Sequence, residues 1–216
     1  MEVPHAHIEF DGRYLLTLDN NHLKSRPARP NLHWHPYLEI SIIKSGIGEY
    51  LVDDKVYDIQ AGDIFVFNNI EKHAIGVKQP NELVNMVIHF EPSLIWSMGS
   101  NVFDSRYLKI FFDRNENFEN RLDRNNPETQ EIRKLLLEIE EEFAAKLPEY
   151  ELMIKVKLLN ILVALMRHYG YTQENFTLSP KIKKDLLSIN KVIDYIDEHL
   201  CEDIRLENLA AITYMN

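Results

Sequence analysis

His33, His35 and Glu39 stand at offsets i, i+2 and i+6 in a stretch, His33-Trp34-His35-Pro36-Tyr37-Leu38-Glu39, that runs on to Gly46. All three offsets are even, and on a β-strand even offsets share a face. If the segment is extended, two imidazoles and a carboxylate point one way while Trp34 and Leu38 point the other. A fourth donor, His73, follows beyond a turn. Three imidazole nitrogens and one carboxylate oxygen suit a divalent transition ion such as Zn, Ni, Mn or Fe. Without an ion, the same four groups would line a polar pocket and hydrogen-bond an organic effector. Residue types and spacing leave both readings open.

Such a cluster needs a rigid frame, and residues 1 to about 90 supply one that reads as strands. Short β-rich runs cover Arg13–Leu18, Leu38–Ile43, Gly48–Val52, Lys55–Ile59, Asp63–Phe67 and Glu82–Phe90. Turn residues separate them, notably Ser45-Gly46, Asp53-Asp54 and Ala61-Gly62-Asp63. Many short strands with tight turns predict a barrel or jelly roll. Residues 19–31 are polar and carry prolines, and are expected to form a loop over the barrel mouth or an arm. From Asn125 the period changes. Asn126 and Pro127 are placed to cap and open a helix. Ile132, Leu135, Leu136, Ile139 and Phe143 then recur at helical spacing up to Leu147-Pro148.

A second helix is predicted from about Glu149 to Tyr169. Leu152, Val156, Leu159, Val163 and Met166 form one apolar stripe, and Leu158, Leu162, Leu165 and Tyr169 form another. A helix so widely apolar needs cover on two sides, which points to the barrel on one face and a second copy of the chain on the other, the alternative being burial entirely within its own chain. Residues 171–184 read as a linker. A third helix follows over Ile189–Leu200, and Leu206–Ile212 opens another. The expected class is α+β, divided into a barrel (1–124), a helical hairpin (125–170), the linker and a C-terminal helical piece (185–216).

The chain has 216 residues and a formal net charge of -10, which argues against this stretch gripping nucleic acid by charge alone. Apolar runs fall far short of the ~18 residues a membrane helix needs. The N-terminus does not resemble a secretory signal. With Cys201 as the single cysteine, an internal disulfide is excluded, and a cytoplasmic location is expected.

His33, His35, Glu39 and Gly46 fill the pattern HxHxxxExxxxxxG, which is similar to the first signature of the cupin superfamily. Ala61-Gly62-Asp63, Phe65-Val66-Phe67 and His73 resemble its second signature, without the usual Pro before the Gly or the Asn after the final His. Downstream, Ile189–Leu200 followed by Ile204-Arg205-Leu206-Glu207-Asn208-Leu209-Ala210 resembles the opening of the AraC/XylS-type DNA-binding domain, with Arg205 where Ser or Thr is common. Leu206, Leu209 and Ala210 match packing positions of the first helix of its helix-turn-helix, and Met215-Asn216 match the following turn.

The resemblance implies a cupin-type sensor barrel joined to a DNA-reading module that continues past this chain. It implies a dimeric regulator responding to a small-molecule effector such as a carbohydrate, with DNA as partner of the full-length protein. His33, His35, Glu39, His73, Arg13 and Tyr37 are then the pocket candidates. His5 and His7 join them if an N-terminal arm closes over the pocket. The alternative is a metal-dependent cupin enzyme, a dioxygenase or isomerase, which the first signature alone would also fit.

Overall fold

A computed structural model describes residues 4–169, apart from 7, 9, 11–13, 26–31, 79–81, 96–107, 113 and 116, together with 192, 195–196, 199–200 and 204–213. The chain divides into two compact units, Met1–Thr172 and Gln173–Asn216.

The first unit contains seven strands: β1 (Leu16–Lys24), β2 (Leu38–Ser45), β3 (Ile47–Val52), β4 (Lys55–Gln60), β5 (Ile64–Phe67), β6 (His73–Val77) and β7 (Glu82–Phe90). They form two antiparallel sheets with orders β1-β7-β2-β5 and β4-β3-β6. Three short-to-long helices follow: α1 (Lys109–Phe112), α2 (Pro127–Ala145) and α3 (Tyr150–His168). This is the expected α+β arrangement, a cupin-type sandwich followed by helices.

Within the four-stranded sheet β2, β5 and β7 are buried on both faces, so these strands read as near-continuous apolar runs. Leu38, Ile40, Ile42, Ile64, Val66, Met86, Ile88 and Phe90 share a core with Ile132, Leu136 and Ile139 of α2 and Ile154, Leu158, Ile161, Leu162 and Leu165 of α3. Residues of opposite parity, Ile43, Phe65, Phe67 and Leu83, pack with Tyr50, Val52, Tyr57 and Ile59 of the three-stranded sheet. Glu39, Ser41, Asn85 and His89 have that same inward parity, and all four are buried. The strand period thus sends polar groups into the interior of the barrel.

Gly46 joins β2 to β3 at φ 92°, and a Cβ there would meet the Glu82 carbonyl oxygen at 2.3 Å. Only glycine fits that turn. Asp63 fixes the β4–β5 turn by accepting from the Gln60 amide and from two nitrogens of Arg124.

Three expectations change. Residues 19–24 belong to β1 and are not loop, because the β7 backbone pairs with them along the whole strand. Their side chains are mostly exposed at the sheet edge, which is why a polar sequence is tolerated there. β6 carries His73 itself, where only a turn was expected before it. The His33–Glu39 segment is not one strand: His33 and Trp34 make isolated bridges, Pro36 and Tyr37 bend, and β2 begins at Leu38.

In the second unit, α4 (Leu206–Thr213) occupies the position of the expected short helix. Leu206 is exposed, and Leu209 and Ala210 are half-buried. Of the helix expected over Ile189–Leu200, Val192, Tyr195 and Ile196 are helical. The linker 171–184, Cys201, Met215 and Asn216 lie outside the described residues, as do Arg13 and His7.

Candidate functional site

Glu39 lies near the start of β2, directly across from His89 of β7 and Phe67 of β5. It is 2% exposed. His35 enters from the bend before β2, and its Nε2 lies 3.0 Å from Glu39 Oε2. His73, at the head of β6, brings its Nε2 to 3.2 Å from the same oxygen. His89 does likewise from β7, also at 3.2 Å. His33 pairs its backbone with that of His73, and their rings lie 4.5 Å apart.

The other nitrogens of two rings are tied down. His35 Nδ1 faces the Tyr37 carbonyl at 3.2 Å, and His73 Nδ1 faces the Glu71 carbonyl at 2.9 Å. A carbonyl oxygen only accepts, so each Nδ1 donates. Each Nε2 faces a Glu39 carboxylate oxygen, which likewise only accepts. His73 Nε2 is indeed without a hydrogen bond, because its 3.2 Å approach to Glu39 lacks the alignment. His89 Nδ1, Ser41 Oγ and Asn85 Oδ1 are likewise buried without partners.

Burial alone would push the Glu39 carboxyl up. The facing charge of His73 and the contacts from His35, His73 and His89 outweigh burial and hold it well below the usual carboxylate range. His73 is displaced the other way: burial would lower it, but the charge and contact of Glu39 raise it. The Tyr50 hydroxyl donates to Glu39 Oε1 at 3.3 Å. Burial, then the Glu39 charge, push that phenol well above its ordinary value.

These groups floor a cavity of about 230 Å³, lined also by Asn21, Leu23, Ala74, Ile75 and Val87. Its polar wall carries both donors and acceptors. Among the described residues, two overlapping donor groups have ligand atoms within 4.8 Å of one another: His33, His35 and His73, and His35, Glu39 and His89. Imidazole and carboxylate donors, among them a His73 Nε2 buried without a hydrogen bond, fit a divalent transition ion. A larger cleft of about 330 Å³ lies elsewhere, beside Tyr57, Glu119 and Arg121–Asn125. Its arginines are already committed, Arg124 to Asp63 and Arg121 to the Asp58 carbonyl.

Of the residues singled out from sequence, His33, Glu39 and His73 line the cavity, and His35 abuts it. Tyr37 does not line it. Its ring stacks on His35 and meets Phe10 edge-on, and its carbonyl orients the His35 ring. His89 and Asn85 were not singled out. The signal that finds them is strand parity: both fall on the face of β7 opposite Met86, Ile88 and Phe90.

Sheet topology, the buried polar cavity and the helical hairpin define a cupin-type barrel domain. Residues 25–162 match the family model for the AraC-like ligand binding domain, and the chain belongs to that family. It is 26% identical over 184 residues to an uncharacterised HTH-type transcriptional regulator, YbfI, of Bacillus subtilis, covering 85% of this chain and 60% of that protein. The chain thus spans 60% of the length of this curated relative. Two structures of ToxT from Vibrio cholerae have the same fold. An unliganded ToxT variant aligns at a TM-score of 0.52 with 10% identity, covering 96% of this chain and 73% of that one. ToxT bound to (E)-4-(8-methylnaphthalen-1-yl)but-3-enoic acid aligns at 0.51 with 11% identity, over 94% and 72%.

Proposed function

We propose that this chain is the sensor portion of a ligand-responsive transcription regulator of AraC type. The observation that carries the reading is the barrel cavity, whose buried wall holds Asn85 Oδ1 and His89 Nδ1 without partners. Buried polar atoms are nearly always paired, so a cavity with orphaned ones is built for a guest. No Lys or Arg is among the described residues that line it, and the donors and acceptors from Asn21, Asn85, Tyr50, His33 and Glu39 suit the hydroxyls of a neutral, carbohydrate-like effector. An effector shifts a regulator only by binding one arrangement more tightly than another.

Dimerisation is assigned to the outer stripe of α3, formed by Leu152, Val156, Leu159, Val163 and Met166. DNA reading is assigned to the helix-turn-helix beginning at α4, where Leu206, Leu209 and Ala210 supply packing positions. The HTH-type relative supports that assignment. A cytoplasmic location accords with a regulator. No helix among the described residues is long and apolar enough to cross a membrane.

The test is calorimetric titration of the chain with a panel of neutral sugars and sugar acids. A neutral polyol is expected to bind, and Asn85→Ala to weaken it at least about 10-fold, a hydrogen-bond loss of roughly 1–3 kcal/mol. Binding confined to anionic ligands would contradict the carbohydrate reading. The second reading, a metal-dependent cupin enzyme, draws on the His/Glu cluster. His33, His35, Glu39 and His73 would hold the ion, which supplies Lewis-acid polarisation when bound. Turnover of a cupin substrate by the metal-loaded chain would favour it over the sensor.

A further inference from the structure

The effector cavity takes up one face of β1, and a second, smaller hollow lies on the other. We propose that this niche, between β1 and the α2–α3 turn, binds a free aromatic α-amino acid with its ring inward and its charged end at the mouth. The site is separate from the effector cavity and shares none of its lining residues.

Strand parity divides the two. Asn21 and Leu23 of β1 line the barrel cavity. Leu16 and Leu18 have the other parity and pack in the core that the sheet shares with α2 and α3. With Tyr14, Phe143, Lys146, Tyr150 and Glu151 they line a niche of about 140 Å³. The hairpin brings the aromatic groups there by bracketing its turn. Phe143 lies in the last turn of α2, Tyr150 opens α3, and Lys146 caps α2 in the left-handed conformation at φ 45°.

Size and lining select a ring. An apolar cavity of roughly 150 Å³ holds one benzene molecule, so the niche has room for a single six-membered ring. Tyr14 stands 6.3 Å from Phe143 and 6.4 Å from Tyr150, and Phe143 stands 6.3 Å from Tyr150, between ring centroids. These separations fall at the wide end of aromatic pairing, whereas Tyr50 and Phe65 in the barrel core approach to 4.6 Å. A fourth ring between the aromatic and aliphatic walls completes the cluster.

The mouth selects what the ring carries. Lys146 and Glu151 are both exposed there, one charge of each sign. Among the described residues neither forms an ion pair, with the other or with a third group, and the Lys146 ammonium has no hydrogen bond. The Glu151 carboxylate accepts from the Tyr150 hydroxyl at 3.3 Å, and the Tyr14 hydroxyl donates to the Glu151 carbonyl. A ligand with one charge would answer one of the two groups. An α-amino acid offers its carboxylate to Lys146 and its ammonium to Glu151, as charge-assisted hydrogen bonds, with its ring one methylene away.

The experiment titrates the 216-residue chain with L-phenylalanine, by calorimetry and by saturation-transfer NMR. One molecule is expected to bind per chain, at millimolar concentration or below. Phenylacetate and phenethylamine each lack one charge and should bind at least about fivefold more weakly, as should phenylalanine to Lys146→Met and to Glu151→Gln. Leu18→Trp places a ring in the niche and should remove binding. Asn85→Ala alters the barrel cavity and should bind phenylalanine like wild type, so failure here and failure of the effector reading are separate results. Absence of saturable binding up to about 10 mM overturns the proposal. So does phenylacetate or phenethylamine binding as tightly as phenylalanine, silence of either charge variant, or loss of binding in Asn85→Ala. Thermal melting checks that each variant is folded. Should Leu18→Trp not fold, NOE contacts of the bound phenylalanine ring in wild type decide. Contacts to Phe143 and Tyr150 support the niche, and contacts to Tyr50 and Val87 in their place refute it.

Discussion

Tyr57 shows how far a single side chain can be moved by neighbours distant in sequence. Its hydroxyl donates to Glu119 Oε2 at 2.6 Å. Burial, then that bond and the Glu119 charge, push its ionisation upward. In the unfolded chain a tyrosine ionises near ~10. Above that pH the unfolded chain releases a proton that folded Tyr57 still holds, so stability must fall as pH rises. Urea unfolding from neutral to strongly alkaline pH should show that decline, and Tyr57→Phe should make it shallower while lowering neutral-pH stability by about 1 kcal/mol. Equal slopes for the two proteins would remove Tyr57 from the account. None of this is visible in sequence, since Tyr57 and Glu119 are joined by folding alone. The cluster at Glu39 divides along the same line. His35 and Glu39 are legible because spacing within one segment carries parity, although the segment bends at Pro36. His73 is legible only through the resemblance of Ala61–His73 to the second cupin signature. His89 reaches Glu39 through β2–β7 register, which depends on which strands pair, and no local pattern states that.

At the scale of elements, apolar period and capping chemistry determined most of what could be read. α2 begins where Asn126 and Pro127 predict. The Asn126 side chain accepts from the Glu128 amide, and its Nδ2 donates to the His168 carbonyl at the far end of α3. One residue therefore caps one helix and closes the hairpin. Asn126→Ala should cost about 1 kcal/mol for the cap, plus the link to α3. Asn126→Asp keeps the capping acceptor and loses the donor, so its melting temperature should fall between alanine and wild type. An aspartate variant as unstable as the alanine one would show that the His168 link, rather than the cap, dominates. β1 escaped the reading for a related reason. An edge strand with exposed side chains has no apolar alternation to betray it, and Asp19-Asn20-Asn21 looks like turn chemistry until β7 is in place to pair with it. β6 is five residues long and carries Gly76, too short and too weakly patterned to stand out.

Among the described residues of the first unit, α3 leaves an apolar outer side exposed. Ile154, Leu158, Ile161, Leu162 and Leu165 face the sheet core, while Leu152 is 58%, Met153 45% and Val156 44% exposed. Consecutive apolar residues left in water on one helix face are a poor arrangement for a monomer, and a twofold axis would bury them against their own copy. The stripe read from sequence is not uniform, however. Leu159 and Met166 pack partly against the core of their own chain, so a charge at Leu159 would strike the fold and the interface together. Leu152→Glu with Val156→Glu is the cleaner probe, because both side chains are exposed and surface charges there should leave the melting temperature nearly unchanged. The fragment 1–172, which is one compact unit, is expected to sediment as a dimer, and the double variant as a folded monomer. A wild-type fragment that is monomeric at micromolar concentration, or a double variant that remains dimeric, would place the interface elsewhere. If the variant is monomeric, its effector affinity then separates the two roles of the unit: the cavity lies between the sheets and α3 on the far side of β2, so binding in the barrel should survive the loss of the partner.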